Sequence, residues 1–380
     1  MPTLTPPNLE EEARPVPLRD IDRELTRRVK AVQDPGDAPV LRARMSNLII
    51  YKDRADDLDE VIADVPAITA IHPAMVFLLV ASASDEEGEL TARISVRERL
   101  AGGGRTAASE LVVLDATGRA VQRLPYVVRG LALGNLPTNL LWSSATPPAF
   151  DGPILHELAD HAEQLLYDSL GWSDPWHGLA RMAGWIGPFE RPGGAGGARR
   201  IVSDLAWRRL KPWRRLLGQA LDPAVAPGAL ESMREIVFSH GSGGEVAACL
   251  TAGWLASSLG WHVESARSRS GGESSWVFVS PHGRVNVRIV RHAEGLSELQ
   301  HVCIDCSITT RDCLLDARLE GDGRGLIVRP MGLEAEPRSI LIPRQTKAAL
   351  VGQQLSDRIR DTAFHRSVHI AGTMAKALLG

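Results

Sequence analysis

The sequence predicts an α/β (α+β) protein: an N-terminal mixed α/β domain with a helical C-terminal half, plus a C-terminal antiparallel-sheet domain flanked by helices. Three observations carry this prediction. The unbroken apolar run 75–81 reads as a strand buried on both faces. Ile154, Leu155, Leu158, Ala162, Leu165 and Leu166 recur at three- and four-residue intervals, as on one stripe of a helix. Val285, Val287 and Ile289 alternate with Arg284, Asn286 and Arg288, as in a sheet wet on one face. With 380 residues, 44% hydrophobic and 23% charged, the chain has the composition of a globular protein large enough for two cores.

Taken in order, Pro2, Pro6, Pro7, Pro15 and Pro17, interleaved with Glu10, Glu11 and Glu12, leave the first segment too little apolar surface to offset ordering entropy. Flexibility is expected there, and structure begins with a helix over 20–32. Beyond Pro35-Gly36, strands are expected over 45–51, 75–82, 90–96 and 110–115. A helix over 56–63 sets Leu58, Val61 and Ile62 on one side. Glu86-Glu87-Gly88 and Gly102-Gly103-Gly104 supply the turns. A short helix at 120–128 leads to a strand at 139–143, which Pro147-Pro148 ends.

The next stretch reads as helical. Pro153 starts the striped helix, a second helix begins after Pro175, the glycine tract 193–197 forms an exposed loop, and a third helix spans 204–222. Pro223, Pro227 and Gly228 mark the best domain boundary, so that a flexible segment and helix over 1–40 is followed by units at 41–225 and 226–380. The last segment should contain a helix over 245–259. Strands follow at 261–266, 275–279, 285–290, 299–308, 313–319, 326–330 and 339–342, joined by hairpin spacers such as Gly321-Asp322-Gly323. A closing helix from residue 347 sets Leu350, Val351, Leu355, Ile359 and Ala363 on one side.

Charge and leader signals narrow the function. The 43 basic and 46 acidic residues give a net charge of -3, which argues against binding to nucleic acid. Residues 1–17 have no apolar core of the kind a signal peptide needs, and no apolar run approaches the ~20 residues of a membrane span. The expectation is a cytoplasmic protein that uses no membrane.

Catalytic and metal signals fail on spacing. His156 and His161 lie five apart, about 140° round a helix, too far to share a zinc ion as a metalloprotease pair does. Cys303 and Cys306 match C-x-x-C by letter, but on a strand they point to opposite faces: Cys303 with His301 and Asp305, Cys306 with Ile304 and Ile308. With Cys249 and Cys313 they read as four reduced thiols, with redox sensing at Cys303 as the other reading. No phosphate loop appears, and no cofactor or metal is expected. The turn His240-Gly241-Ser242-Gly243-Gly244 lacks the leading glycine of a nucleophile elbow. Its residues Ser242, Gly243 and Gly244 precede a helix whose N-terminus suits an anion.

Tryptophan is unusually frequent: nine, against six Phe and three Tyr. Six of them, Trp142, Trp172, Trp176, Trp185, Trp207 and Trp213, fall between 142 and 213. The densest stretch is Asp204-Leu-Ala-Trp207-Arg-Arg209-Leu-Lys-Pro212-Trp213-Arg214-Arg215, where Pro212 forbids one regular helix and Asp204 suits an N-cap. Three readings stay open: a kinked helix with Leu205, Trp213, Leu216 and Leu217 in the core, a partner surface of hot-spot residues, and a membrane-surface helix.

That stretch resembles the glucose-6-phosphate dehydrogenase assembly protein family, OpcA. The likeness is supported, in order, by Asn47-Leu48, His72-Pro73, Glu110 after Ser109, Leu136-Pro137 before Trp142, Asp168-Ser169, Ala252-Gly253-Trp254-Leu255 and Leu259-Gly260-Trp261. From Trp261 onward it is one of general shape only. Two positions depart from the family pattern: Met75 stands where an arginine is usual, and Asn135 where an acidic residue is. This chain has no cysteine before Cys249, so a thiol switch in the first half is absent.

The resemblance implies a non-enzymatic assembly factor or allosteric activator that binds glucose-6-phosphate dehydrogenase. Asp204, Trp207, Arg209, Trp213 and Arg214 are the candidate contact residues. Each would equally serve inside, with Arg209 and Arg214 pairing carboxylates that fasten the two domains together. Self-association stays open. The alternatives are a scaffold that binds without activating, and a sugar-phosphate or anion sensor using Ser242, Gly243 and Gly244 with Arg284 and Arg288.

Overall fold

The computed structural model of the chain describes residues 15–31, 44–53, 58–101, 105–150, 152–186, 201–269, 272–292, 298–308, 311–320, 323–331, 336–343 and 345–380. The expectations for the proline-rich start and for the glycine tracts 102–104 and 193–197 lie outside them.

The first sheet has seven strands. They are β1 Ser46–Asp53, β2 Ala74–Ser82, β3 Leu90–Ala101, β4 Arg105–Thr117, β5 Thr138–Trp142, β6 Gln164–Tyr167 and β7 Ile201–Asp204, in the spatial order β3-β4-β2-β1-β5-β6-β7. All neighbours pair in parallel except β3 with β4. Strand β2 is buried from Ala74 to Ala81, as its unbroken apolar run requires when both faces are covered. The chain order reverses between β1 and β5, which makes the sheet doubly wound.

Helices cover both faces. On one lie α1 Ile21–Ala31, α3 Leu124–Leu131 and α4 Pro153–Asp160, packed with Ile49, Phe77, Leu114 and Leu140. The other is closed by α2 Leu58–Ile71 and by α9 Lys347–Ser356, whose Ala348, Leu350, Val351 and Leu355 meet Leu48, Ile50, Val76 and Leu78. A helix from near the C-terminal end of the sequence thus completes the first sheet.

The second sheet contains β8 Met233–His240, β9 His262–Arg269, β10 Glu273–Ser280, β11 Gly283–Arg291, β12 Leu299–Ile308, β13 Arg311–Leu319, β14 Gly325–Met331 and β15 Arg338–Leu341. Its order is β15-β14-β13-β12-β8-β11-β10-β9. Every pair is antiparallel except β8 with β11, so the predicted antiparallel sheet carries one parallel pair at its centre. Val285, Val287 and Ile289 are buried as the alternation required. On this inner face lie α5 Pro175–Ile186, α8 Glu245–Leu259 and α10 Thr362–Leu379, and the Trp276 indole donates to the Met374 carbonyl at 3.0 Å.

Three predicted elements differ. Leu165 and Leu166 belong to β6 and not to the striped helix, which ends at Asp160. Leu165 and Leu166 of a strand buried at all four positions fall at the spacing set by Leu158 and Ala162, so the strand extends the helical pattern without breaking it. The stretch predicted as one helix over 204–222 comprises the end of β7, α6 Leu205–Arg209 and α7 Lys211–Ala220. Pro212 lies in the first turn of α7, where its missing N–H has no intrahelical role. The closing helix is two, α9 and α10, and Ile359 in their linker is exposed.

Close helix approach in the second unit depends on glycine. A Cβ on Gly253 of α8 would sit 2.5 Å from the Ser367 carbonyl oxygen of α10, whereas one on Gly184 would meet nothing within 4 Å. Gly253→Val is therefore expected to lower stability by about 1–3 kcal/mol through overpacking. Gly184→Ala should raise it by about 0.5–1 kcal/mol through helix propensity. Urea unfolding midpoints of the two variants check both signs.

Candidate functional site

The stretch 204–214 lies at the carboxyl edge of the first sheet, where it binds three other parts of the chain. Asp204 ends β7 and caps α6. Its carboxylate accepts from the Ala206 amide at 2.8 Å, the Ser169 amide at 3.1 Å and the Ser169 hydroxyl at 2.5 Å. It is 2% exposed, and burial pushes its pKa up to about 7 against the pull of the Ser169 hydrogen bond, with Asp168 adding to the rise.

Trp207 is 5% exposed. Its indole N–H donates to the Asp361 carboxylate at 2.7 Å, while Asp361 itself caps α10 through the Ala363 and Phe364 amides. Arg214 lies with its guanidinium 3.5 Å from the Trp207 ring centroid and donates to the Trp207 carbonyl at 2.7 Å. Arg208 donates to Gln354 at 2.9 Å and to Asp357 at 2.7 Å, beyond the end of α9. Trp213, 3% exposed, packs in the main core.

Arg209 makes the strongest joint. Two parallel N–H donors reach the Asp168 carboxylate at 2.7 and 2.8 Å, and the same guanidinium lies 3.8 Å from Glu298, which leads into the second sheet. Burial opposes the Arg209 charge, but the Asp168 fork, Glu298 and Asp204 outweigh it and raise the pKa. Of the open readings of this stretch, the kinked interior helix describes Trp207 and Trp213, and Arg209 joins carboxylates from the two sheets. In the chain by itself, Asp204, Trp207 and Trp213 offer no open surface.

The glycine turn lies beside this joint. Gly243 has φ +82°, and a Cβ there would come within 2.7 Å of the Gly171 Cα, so only glycine fits between β8 and the loop after β6. The Gly171 amide donates to the Gly243 carbonyl, the Gly241 amide to the Glu298 carbonyl and the Gly244 amide to the Gly241 carbonyl. Ser242 accepts from Arg291 at 3.1 Å. Arg284 and Arg288 do not join this turn: Arg284 pairs with Glu264, and Arg288 with Glu235 and Glu273, on the open sheet face. With two of its amides engaged and the Glu298 main chain against it, the turn is poorly suited to an anion.

The remaining sequence candidates separate. His161 follows α4 and its ring accepts from Arg129 at 2.9 Å. Cys303 and Cys306 take opposite faces of β12, and burial, with Asp316, Asp305 and Glu235, raises the Cys303 pKa, which weakens it as a thiolate nucleophile.

Met75 is buried in β2 beside Glu110, its Cα partner in β4, so that position faces the interior. The cation facing Glu110 comes from Arg44. Sequence reading missed one further feature. Asn47 in β1 ties down the loop 133–136: its side chain donates to the Leu133 and Leu136 carbonyls and accepts from the Leu133 amide. A cavity of about 310 Å³ opens between α3, α4 and this loop.

Two family models match the chain. One, described as the glucose-6-phosphate dehydrogenase subunit N-terminal domain, matches residues 65–184; the other, described as the subunit's C-terminal domain, matches 200–368. A protein of Synechocystis sp. named as a candidate OxPP cycle protein OpcA is 28% identical over 197 residues, 51% of this chain and 38% of that protein. Its namesake in Nostoc punctiforme is 30% identical over 162 residues, 43% of this chain and 32% of that one. The chain therefore spans about a third of the length of these curated relatives.

Among solved structures, a candidate oxidoreductase from Parabacteroides merdae is similar, with a TM-score of 0.51 at 9% identity, covering 88% of this chain and 98% of that one. This likeness concerns fold. A dinucleotide in such a fold needs glycines in the turn after β1 so that backbone can approach the pyrophosphate. Here Arg54-Ala55-Asp56-Asp57 follows β1. The ends of β1 and β5 are tied by the Asp53 amide to the Ser144 hydroxyl at 3.0 Å and by the stacked rings of Tyr51 and Trp142. These residues do not fit such a cofactor.

Two outcomes follow from the clasp. Arg209→Met leaves the part-buried Asp168 carboxylate without its cation, still accepting from the Leu170 amide, and should cost about 1–3 kcal/mol, while the double variant Asp168→Leu/Arg209→Met should recover part of it; urea unfolding of all three chains measures this. Native Asp204 keeps its proton up to about pH 7, whereas the unfolded carboxyl releases it near pH 4. The native state therefore binds more protons across that window, and the stability this group contributes is lost as pH rises from about 4 to 7. Asp204→Asn should flatten that decline in unfolding midpoints taken at pH 5 and pH 7.

Proposed function

The chain belongs to the OpcA family of glucose-6-phosphate dehydrogenase assembly proteins, and from that premise we propose that it binds glucose-6-phosphate dehydrogenase and stabilises its active form without catalysing a reaction itself. It would support the oxidative pentose phosphate pathway in the cytoplasm. The observation that carries this reading is the pair of family matches, which together span most of the chain across both sheets. Among the described residues no helix is long and apolar enough to cross a membrane.

The physics needs no reacting group. A partner that prefers one state of the dehydrogenase shifts its population by the differential affinity, about 1.4 kcal/mol for each tenfold change in the equilibrium. A rigid binder serves this purpose best, since it spends little binding energy on ordering itself. The clasp at Trp207 and Arg209 supplies that rigidity, so in this reading the residues 204–214 act by positioning the two sheets. At the turn the engaged Gly241 and Gly244 amides count against the sensor reading, and the Arg291 guanidinium on Ser242 counts for it.

Adding the chain to the dehydrogenase of the same organism should raise the fraction of active oligomer or lower the substrate concentration at half-maximal rate. Light scattering after size exclusion and initial-rate kinetics read the two. No change in either would overturn the proposal.

A further inference from the structure

The cavity between α3 and α4 is a built recess with a charged mouth. Pro125, Val128 and Leu133 line it together with Leu136 and Leu158, so its floor is apolar, and it opens on the side where Arg129 and His161 meet. Its 310 Å³ is at the lower end of the range for ligand pockets, room for one side chain with space to spare. It is also preformed: Asn47, itself fully buried, holds the loop 133–136 through both ends of its amide, so occupation costs little ordering.

The mouth carries charge of both signs. Glu157 and Glu163 line the recess with Arg129, and among the described residues Arg129 forms no ion pair. Its guanidinium donates to the His161 ring and lies 5.6 Å from the Tyr126 ring centroid. Tyr126 is 55% exposed although large and aromatic. On the Glu163 side, Arg358 pairs with Glu163 of the pocket lining, and the next residue, Ile359, is 79% exposed. An exposed tyrosine and an arginine without an ion pair, beside a recess with an apolar side, are residue types enriched at binding hot spots.

We infer that this recess is the docking point for a segment of the dehydrogenase that inserts an apolar side chain into the cavity and sets a neighbouring carboxylate against Arg129. A small molecule filling the cavity would leave Tyr126, which lies against Arg129 of the lining, uncovered, whereas a polypeptide crossing the mouth covers it. The inference rests on the proposed function, because it names where that partner binds.

The test uses the full chain, the dehydrogenase of the same organism, and the variants Arg129→Glu, Tyr126→Ala and, as a charge-matched control at an exposed position of α7, Arg215→Glu. Binding is measured by biolayer interferometry, with thermal melting of each free chain alongside. Arg129→Glu should weaken binding at least tenfold and Tyr126→Ala several-fold, with melting unchanged and Arg215→Glu binding as the unaltered chain does. If the unaltered chain binds and Arg129→Glu and Tyr126→Ala bind equally well, the docking point is wrong while the function stands. If the unaltered chain does not bind, the functional reading fails and takes the docking point with it.

Discussion

One indole is held from both sides. Trp207 gives its N–H to Asp361, receives the Arg214 guanidinium on its face, and packs against Phe364. Asp361 in turn caps α10, so the helix that lies across the second sheet starts from a hydrogen bond made by the first. The Arg209 fork on Asp168 and its approach to Glu298 fix the same junction from the other side. Such buried groups tolerate little displacement, because a lost partner leaves a desolvated donor or charge behind. These few side chains tie the two sheets together at the edge of the apolar core that they share.

Much of the fold was legible because its strands carry strong patterns. Strand β2 announced itself as an apolar run, β11 as an alternation, and Asp204 as an N-cap before an apolar turn. One misreading has a clear cause: adjacent leucines of a strand covered on both faces carry no alternation to reveal its period, so β6 merged with α4. The parallel pairing of β8 and β11 had no local signal, since it depends on α8 and a hairpin intervening. Tryptophan content pointed to the correct stretch, but sequence alone left the side of the molecule undecided, because indoles serve core and interface equally.

The candidate site divides in the same way. Asp204, Arg209 and Asp168 were visible as motif letters, and their inward roles were among the readings the sequence allowed. The recess beside Arg129 was invisible, because its wall comes from α3, its rim from the start of β6, and its floor from a loop fastened by Asn47 on β1. Doubly wound sheets commonly bind ligands at their carboxyl edge. In this chain that edge is occupied by ring stacking and the clasp, and the cavity opens by the amino ends of β5 and β6.

The helix α9 has a consequence for how the chain comes into being. Its apolar side chains close a face of the first sheet whose strands begin some 300 positions earlier, as the hydrogen bond between His72 and Ser356, 284 residues apart, illustrates. During synthesis, Leu48, Ile50, Val76 and Leu78 therefore remain partly uncovered while the ribosome makes the entire second sheet. The first unit is translated early but matures late, and through that interval the nascent polypeptide carries an apolar face that chaperones can recognise.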